Sequence, residues 1–431
     1  MQQNSLTTVE SRIYATKDVK ITHLKQGSTT YSKMSFPIHC GIYSEIETKE
    51  FIFQFNLNSE IFRAKGKGRE WAHPHEWLKR TPGNDWVYYS TGGYTGVFEA
   101  TGEYYLPNFQ YPTNSILGGH PFAHEEITRI SGSWYQFLLE LQAQQTDLPR
   151  HFGNFLNQVI TNSPEKLEQK AQLLHEIIGG RISVLPPDAR HVDYNIIPLT
   201  ISEGCLYKCA FCKVKNNTVF TEKSDAEIRA QISRLAKLYG RDLINYNSLF
   251  LGEHDALQSS PERILFSIET ACKEFDFDHS YTAGTNVFLF GSVTSLLNKP
   301  DAFFRQLVES GAMTYINIGL ESADQQTLDK IGKPLTERLV QEAFWRGQDI
   351  NDRFPSVEIT ANFIMDENLP DNHYKKILHL IREQQVHVKP KGSIYFSPLT
   401  FDRPSRTRLF EFNRIKIQSR LPTYLYIIQR F

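Results

Sequence analysis

The chain has 431 residues, of which 40% are hydrophobic and 22% are charged, and its formal net charge is −1. This length predicts two or three domains, or one large α/β barrel with an attachment. With a net charge this close to zero, the overall field argues neither for nor against a polyanion partner. The polar start MQQNSLTTVE has no apolar leader segment, and no apolar run reaches the roughly 18 residues that span a membrane. We therefore expect a cytoplasmic protein with no membrane association.

Residues 1–190 predict an N-terminal α+β domain that either binds the substrate or covers the next domain. Segment 86–112 is rich in aromatic residues and glycines, which predicts short strands joined by turns. Helical spacing of apolar residues predicts two helices, at 125–145 and 164–178. Residues 183–195, SVLPPDARHVDYN, predict a linker because Pro186 and Pro187 disfavour regular structure.

Residues 191–400 alternate strands with helices, which predicts parallel βαβ units. Capping signals mark two helix starts, Ser224 with Glu227 and Ser260 before Pro261. The six predicted strands are 195–202, 247–252, 279–287, 314–322, 357–365 and 392–399. Six such units favour an α/β fold with a partial (β/α)6 TIM-type barrel, preceded by the N-terminal extension and followed by a short basic extension at 401–431.

Three of the five cysteines lie within eight positions, in the stretch ISEGCLYKCAFCKVKNN. Their spacing is Cys205-x3-Cys209-x2-Cys212, directly after the first barrel strand, and functional groups of such barrels lie on the loops after strands. Disulfides are rare in a reducing cytosol, so this cluster indicates a metal site or thiol chemistry. Structural zinc and closed iron–sulfur clusters take four protein ligands, whereas three thiolates leave one metal position open for catalysis.

The three cysteines, with Phe211 before the last of them, resemble the CxxxCxΦC motif of radical S-adenosylmethionine (radical SAM) enzymes. The resemblance extends over about residues 196–400. It implies that Cys205, Cys209 and Cys212 bind a [4Fe–4S] cluster whose fourth iron holds S-adenosylmethionine (SAM). A one-electron donor such as flavodoxin or ferredoxin then reduces the cluster, and SAM yields a 5′-deoxyadenosyl radical that takes a hydrogen atom from the substrate.

Two later stretches extend the resemblance in the correct order. FLGEHDAL (250–257) is similar to the family's Gly-Gly-Glu element at Gly252 and Glu253, with Leu251 in place of the first glycine. INIGLESADQQTLDKIGK (316–333) is similar to the GLES…L…I.K stretch of the subgroup that contains the methylthiotransferases and the elongator radical enzyme. Because these weaker matches occur in the correct order, the resemblance is more specific than the cysteine motif alone would make it.

The resemblance implies a cofactor-binding role for residues at strand ends and inside the barrel. Phe211 offers an aromatic face to adenine, and Gly252 and Glu253 offer a close backbone and a carboxylate to the methionine ammonium. Two of the remaining positions are asparagines where a barrel interior normally takes branched apolar groups. The predicted cofactor-binding set is Phe211, Gly252, Glu253, Asn317, Glu321, Ser322 and Asn362.

The sequence leaves the substrate open, along with two alternatives to this function. The first is a non-catalytic iron–sulfur or zinc-binding protein. The second is a radical SAM enzyme that modifies RNA, for which the basic segment 401–431 is the candidate contact, although a solvated face is the favoured interpretation. Cys40 stands alone in the N-terminal region, where methylthiotransferases carry a second cysteine set. No pattern for an auxiliary cluster or for cobalamin is visible.

Overall fold

The computed structural model describes most of the chain. The described residues are 10–31, 39–69, 71, 77–90, 103–105, 125–145, 147–182, 184–192, 195–207, 209, 219–366, 368–398 and 406–425. Within these ranges the chain forms an eight-stranded antiparallel sheet near its N-terminus and a seven-stranded parallel sheet after residue 196.

The N-terminal sheet is a meander in which each strand pairs with the next. Its apolar side chains alternate with polar ones, so that Ile46, Phe53 and Phe55 are fully buried on one side. Two strands, β7 and β8, lie in the aromatic segment 86–112, whose residues 91–102 and 106–112 lie outside the described residues. The strands are β1 (Arg12–Ala15), β2 (Val19–Gln26), β3 (Ile42–Thr48), β4 (Phe51–Phe55), β5 (Ile61–Gly66), β6 (Trp77–Arg80), β7 (Trp86–Ser90) and β8 (Glu103–Tyr105).

Three helices follow this sheet: α1 (Glu125–Gln144), α2 (Arg150–Ile160) and α3 (Pro164–Ile178). Helix α1 buries Ile130, Trp134 and Leu138 at four-residue spacing, as its sequence predicts. Helix α3 begins after Ser163, whose hydroxyl accepts the Lys166 N–H, and it ends at the predicted glycine pair. Helix α2 was not predicted.

The predicted linker at 183–195 is wrong, because part of this segment is a buried 3-10 helix, Pro187–Val192. Proline is tolerated in the first turn of a helix, where its missing N–H has no partner to lose. Asp188 is fully buried and accepts hydrogen bonds from the Tyr395 hydroxyl at 2.7 Å and the Thr360 hydroxyl at 2.8 Å. The segment therefore packs against the parallel sheet.

The parallel sheet has its strands in the same order in space as in the chain, which confirms an α/β fold built from parallel units. An antiparallel pair, β10 (Ser202–Glu203) and β11 (Thr221–Glu222), interrupts the order just after the first parallel strand. The parallel strands are β9 (Ile197–Leu199), β12 (Ser248–Leu251), β13 (Asn286–Gly291), β14 (Met313–Glu321), β15 (Val357–Met365), β16 (Ile394–Pro398) and β17 (Thr423–Leu425). The strand predicted at 279–287 is wrong over most of its length, and β17 was not predicted.

Helices connect the parallel strands, and their starts follow the predicted capping signals. The Ser224 hydroxyl accepts the Glu227 N–H and the Glu227 carboxylate accepts the Ser224 N–H. The Ser260 hydroxyl caps the helix that begins with Pro261. No helix among the described residues is long and apolar enough to cross a bilayer. The helices are α4 (Asp225–Tyr239), α5 (Pro261–Glu274), α6 (Val293–Asn298), α7 (Asp301–Glu309), α8 (Gln325–Lys330), α9 (Glu337–Arg353), α10 (Asn372–Leu378) and α11 (Arg406–Gln418).

Hydrogen bonds join the N-terminal sheet to the parallel half of the molecule. The Asn245 side chain accepts the Ile42 N–H at 2.7 Å and donates to the Ile42 carbonyl at 3.0 Å. The Tyr281 hydroxyl donates to the Gly27 carbonyl at 3.0 Å. These contacts lie on segments that lead into β12 and β13, which is the amino edge of the parallel sheet. The carboxyl edge, opposite to it, carries the cysteine loop.

Candidate functional site

Two of the three clustered cysteines lie on the loop that leaves the carboxyl end of β9. Cys205 is half-buried and Cys209 is buried, while Phe211 and Cys212 lie outside the described residues. The Tyr207 N–H lies 3.5 Å from the Cys205 sulfur and donates to it. A hydrogen bond of this kind favours the thiolate form, which is the form that binds a metal. Thiolates are soft ligands that suit iron–sulfur clusters and zinc.

Lys333 is buried beside this loop. Its ammonium Nζ lies 3.2 Å from Glu321 Oε1, donates to the Gly319 carbonyl at 2.8 Å, and lies 5.7 Å from the centre of the Tyr207 ring. Burial by itself would lower the pKa of Lys333, but the Glu321 carboxylate and the Cys209 thiolate raise the pKa above its ordinary value. The cysteine loop therefore has a permanent positive charge as a neighbour.

The backbone at the end of β14 is strained in a way that directs Glu321 toward this lysine. Glu321 has a φ of 64°, which is rare for a residue other than glycine, and the pairing of β14 with β15 shifts register between Gly319 and Glu321. A Cβ atom on Gly319 would lie 2.6 Å from Glu321 Oε1, so a side chain here would displace the Glu321 carboxylate from its place beside Lys333. Such strain is found at functional sites because neighbouring contacts hold it in place.

Tyr207 ties the cysteine loop to the carboxyl end of β13. Its hydroxyl lies 2.5 Å from the Thr294 hydroxyl and accepts the Thr294 N–H at 3.1 Å. Lys333 and Tyr207 were not identified from the sequence as site residues. Lys333 closes the GLES…L…I.K stretch and could have been found there, whereas Tyr207 gives no signal beyond its place between two cysteines.

Gly252 and Glu253 lie at the end of β12, the strand next to β9. Gly252 has a φ of 73°, its N–H donates to the Leu199 carbonyl at 2.8 Å, and an added Cβ would lie 2.8 Å from the Ala256 Cβ. Burial and the nearby Glu203 carboxylate raise the pKa of Glu253. A cation placed beside Glu253 would lower this pKa, because an opposite charge favours the ionised carboxylate.

Asp255, two residues further on, is a buried acid that the sequence did not single out. Its Oδ1 accepts the Ser292 N–H at 2.9 Å and the Ser295 hydroxyl at 2.8 Å, which fastens the end of β12 to the start of α6. Its Oδ2 has no hydrogen-bond partner among the described residues. Burial raises the pKa of Asp255.

Ser322 is fully buried at the end of β14, inside a local network. Its hydroxyl lies 2.8 Å from His373 Nδ1 and accepts the Asp324 N–H at 3.0 Å. The other ring nitrogen of His373 donates to the Ile364 carbonyl at 2.9 Å, so Nδ1 accepts from the serine hydroxyl. These bonds hold the end of β14 against that of β15, and a contact between Ser322 and a cofactor stays a prediction.

Asn317 and Asn362 pair with each other inside the sheet. The Asn362 amide donates to Asn317 Oδ1 at 2.6 Å, and the Asn317 amide lies 3.2 Å from Asn362 Oδ1. Asn317 also donates to the Thr360 hydroxyl at 2.9 Å, and Asp188 accepts from that same hydroxyl. The two asparagines are thus satisfied within the protein, and their cofactor role also stays a prediction.

Electrostatic contacts and hydrogen bonds bring Cys209, Tyr207, Glu321 and Lys333 into one cluster at the carboxyl edge of the sheet. Residues 199–381 match the family model of the radical SAM superfamily. This match covers less than half of the chain, and it includes the cysteine loop and the strands from β12 to β15. Enzymes of this superfamily generally use a [4Fe–4S] cluster and SAM, and they typically need an electron donor.

Several solved structures are similar to the chain at low identity. A radical SAM methyltransferase from Sphaerobacter thermophilus is 13% identical with a TM-score of 0.38, over 53% of this chain and 65% of that chain. Methylornithine synthase (PylB) is 12% identical with a TM-score of 0.33, over 65% of this chain and 77% of that chain. SuiB from Streptococcus suis, bound to its precursor peptide SuiA, is 12% identical with a TM-score of 0.34, over 69% of this chain and 62% of that chain.

The chain spans less than two thirds of the length of the first of these structures. A search of the curated proteins found no match.

Proposed function

We propose that this chain cleaves SAM reductively at a [4Fe–4S] cluster and acts on a substrate through hydrogen-atom abstraction. The observation that carries the proposal is the cysteine loop at the carboxyl edge of the sheet, with the Lys333 ammonium beside Cys209. When bound, the cluster and SAM supply a 5′-deoxyadenosyl radical, after an electron arrives from a donor such as flavodoxin or ferredoxin.

The residues present fit an iron–sulfur cluster held by Cys205, Cys209 and Cys212. An N–H donor reaches the Cys205 sulfur, and a buried cation lies beside Cys209. Both features stabilise negative charge on the sulfurs, and hydrogen bonds and net charge are the means by which proteins tune cluster potentials. Cys272 does not fit this role, because burial raises the pKa of its thiol to about 12.

Glu253 is the strongest candidate for holding the ammonium of the methionine group. Burial and the nearby Glu203 carboxylate raise its pKa, and Glu253 Oε2 lies 3.5 Å from His254 Nε2. A bound ammonium would add a full positive charge beside this carboxylate. Gly252 has a left-handed backbone and no side chain, so the backbone at this strand end can lie close to a ligand. Phe211 remains the proposed partner of the adenine ring.

We propose that the Glu321 carboxylate and the Ser322 hydroxyl contact the cofactor while they keep the contacts that they already make within the protein. Glu321 already pairs with Lys333, so a ribose hydroxyl or a carboxylate would share this ion pair and not replace it. The Ser322 hydroxyl is engaged with His373 and would therefore position the strand end. Asn317 and Asn362, paired below, would keep the polar floor of the site in one arrangement.

We also propose that the six successive parallel units from β9 to β16 curve into a partial (β/α)6 barrel, with β17 as an added strand. In this proposal, residues 191–400 are the core, residues 1–190 are a domain that covers the barrel or binds the substrate, and residues 401–431 are a basic extension. The chain order of the strands in the sheet supports it. A cytoplasmic location stays a prediction from the sequence.

Anaerobic reconstitution with iron and sulfide tests the proposed function. The wild-type protein should bind about four irons per chain and release 5′-deoxyadenosine from SAM once it is reduced. Alanine at position 205, 209 or 212 should abolish both, whereas Cys272→Ala should cost only packing free energy, about 1 kcal/mol. Equal loss of activity in all four variants would contradict the ligand assignment.

The same experiment separates the alternatives. A zinc protein would bind zinc and leave SAM intact, and a non-catalytic iron–sulfur protein would bind iron without cleaving SAM. An RNA-modifying enzyme would bind tRNA with strong salt dependence, weakened when Arg414 on α11 is neutralised. The Arg414 side chain is exposed and lies 3.9 Å from Glu411, an arrangement equally suited to a solvated face.

A further inference from the structure

A cavity of about 230 Å³ lies where the N-terminal sheet, helix α2 and the segment after α4 meet. We propose that it binds a tetrahedral oxyanion, either inorganic phosphate or the phosphate group of a small organic ligand. The proposal does not rest on the radical chemistry.

Hydrogen-bond donors line the cavity without a competing acid. Its wall includes His23 from β2, His151, Asn154 and Gln158 from α2, Ser59 from the β4–β5 turn, and Arg241. Among the described residues, no aspartate or glutamate lines it. Arg241 is exposed and makes no hydrogen bond or ion pair with the described part of the chain. The Ser59 hydroxyl donates to Gln158 Oε1 at 3.4 Å, and the arginine fork, the imidazoles and the side-chain amides are the kinds of donor that oxyanions require.

Helix α2 presents one face to the cavity. His151, Asn154 and Gln158 recur at spacings of three and four residues, which places them on the same side of a helix. His151 belongs to the first turn, where the helix dipole favours negative charge. The buried face of helix α2, which includes Phe152 and Phe155, packs against the sheet. This packing fixes the positions of the polar groups that line the cavity.

A backbone irregularity sets the position of His23. Leu24, which follows it and also lines the cavity, has a φ of 59°, and the pairing of β2 with β3 shifts register between Thr22 and Lys25. Bulges of this kind redirect side chains, and a left-handed leucine is costly enough to point to a functional reason. The irregularity brings His23 Nδ1 to 2.9 Å from His151 Nε2.

The two imidazoles share one hydrogen bond, so one ring nitrogen donates and the other accepts. Burial, followed by His151, Arg12 and Arg241, lowers the pKa of His23 to about 4. Arg12 and Arg241 thus contribute positive charge near His23 before any ligand is bound. A bound anion would oppose this field and raise the affinity of the pair for a proton.

The cavity lies far from the cysteine loop in the topology of the fold. Arg241 lies in the segment that leads into the amino end of β12, whereas Cys205 and Cys209 follow the carboxyl end of β9, and the two strands are parallel neighbours. The cavity and the cysteine loop therefore lie at opposite edges of the sheet. A ligand held here would anchor or regulate and would not take part in the chemistry at the cysteines.

Calorimetric titration of the purified full chain at low ionic strength tests the proposal. Inorganic sulfate is the first probe because its charge is constant between pH 6 and 8, and inorganic phosphate and glycerol phosphate follow. We expect saturable binding of one anion per chain, weaker at higher salt. Tighter binding of glycerol phosphate would identify an organic phosphate as the ligand, and equal or tighter binding of inorganic phosphate would identify the free ion.

Arg241→Gln and His151→Gln should each weaken sulfate binding about tenfold, since each removes a charged or imidazole donor. The matched control is Arg234→Gln, an exposed arginine on α4 that does not line the cavity and should bind as the wild type does. Imidazole resonances of His23 and His151 should shift in the titration. Non-saturable binding, equal affinity in Arg241→Gln, or zinc binding at the histidines in place of sulfate would overturn the proposal.

Discussion

The Lys333 ammonium lies 3.2 Å from the Glu321 carboxylate, and the two side chains are only 6% and 13% exposed. A buried ion pair of this kind adds little stability relative to an apolar pair, but the loss of one partner leaves an uncompensated charge. The pair also holds the Lys333 ammonium close to Cys209. It therefore links the stability of the strand end to the electrostatics of the site.

Lys333→Met should lower the free energy of unfolding by about 3 kcal/mol, because Glu321 is left buried without a counter-charge. Urea denaturation measures this, and Lys237→Met, at an exposed lysine on α4, is the control expected to change little. The double variant Lys333→Met with Glu321→Gln should recover part of the loss. Equal losses in the single and double variants would show that Lys333 stabilises the protein through something other than its ion pair with Glu321.

Gly252→Ala should destabilise the protein more than Gly311→Ala does. Both glycines have left-handed backbones, with φ of 73° and 76°. An added Cβ at Gly252 would meet the Ala256 Cβ at 2.8 Å, whereas at Gly311 it would meet nothing within 4 Å. We expect about 1 kcal/mol for Gly311→Ala and about 2–3 kcal/mol for Gly252→Ala, measured by chemical denaturation. Similar values would mean that the strand end adjusts to the methyl group.

Asn317→Leu and Asn362→Leu should each cost about 2 kcal/mol, because each leaves an amide of the other asparagine without its partner. The double variant should cost less than the sum, with a coupling energy of about 1 kcal/mol in the double-mutant cycle. Thermal or urea unfolding of the four proteins provides the cycle. Additive losses would show that the two side chains act independently.

The free energy of unfolding should fall as the pH drops from about 6.5 to about 4. Burial lowers the pKa of His373 to about 4, so in this window the unfolded chain takes up a proton that the folded chain does not. The contribution is up to about 3 kcal/mol, and His23 adds a term of the same sign. His373→Gln should flatten the profile, whereas His387→Gln, at an exposed position, should leave it unchanged. An unaltered slope in His373→Gln would contradict the assignment.

Helix starts in the parallel half were predictable because their signals act within a few residues. Ser224 and Glu227 cap each other across three positions, and Ser260 stands next to Pro261, whose ring already has a helical φ. No distant contact is needed to form either structure. The α/β alternation followed from these starts together with the apolar runs between them.

The position of β13 was not predictable in the same way. The stretch HSYTAGTNV contains strand-forming residues, but Ser280 and Thr282 use their hydroxyls to bond the carbonyls of Ile244 and Asn245, which holds a loop. The strand begins at Asn286, where the apolar run VFLFG is held between two parallel neighbours. Tertiary contacts decided which segment entered the sheet.

In the candidate site, the sequence identified residues that stand in short motifs and missed those paired at a distance. Gly252 was predicted from its motif and has the left-handed φ that a glycine supplies. Lys333 meets Glu321 across 12 positions and Tyr207 meets Thr294 across 87. The pairing of Tyr207 with Thr294 exists only once β9 and β13 both lie beside β12 in the sheet.

Asp188 lies upstream of the radical SAM match, yet its carboxylate accepts hydrogen bonds from Tyr395 on β16 and Thr360 on β15. A fragment cut to begin at residue 191 would keep every proposed iron ligand and still leave those two hydroxyls facing an empty pocket in the protein interior. A truncation series should therefore begin upstream of Leu185.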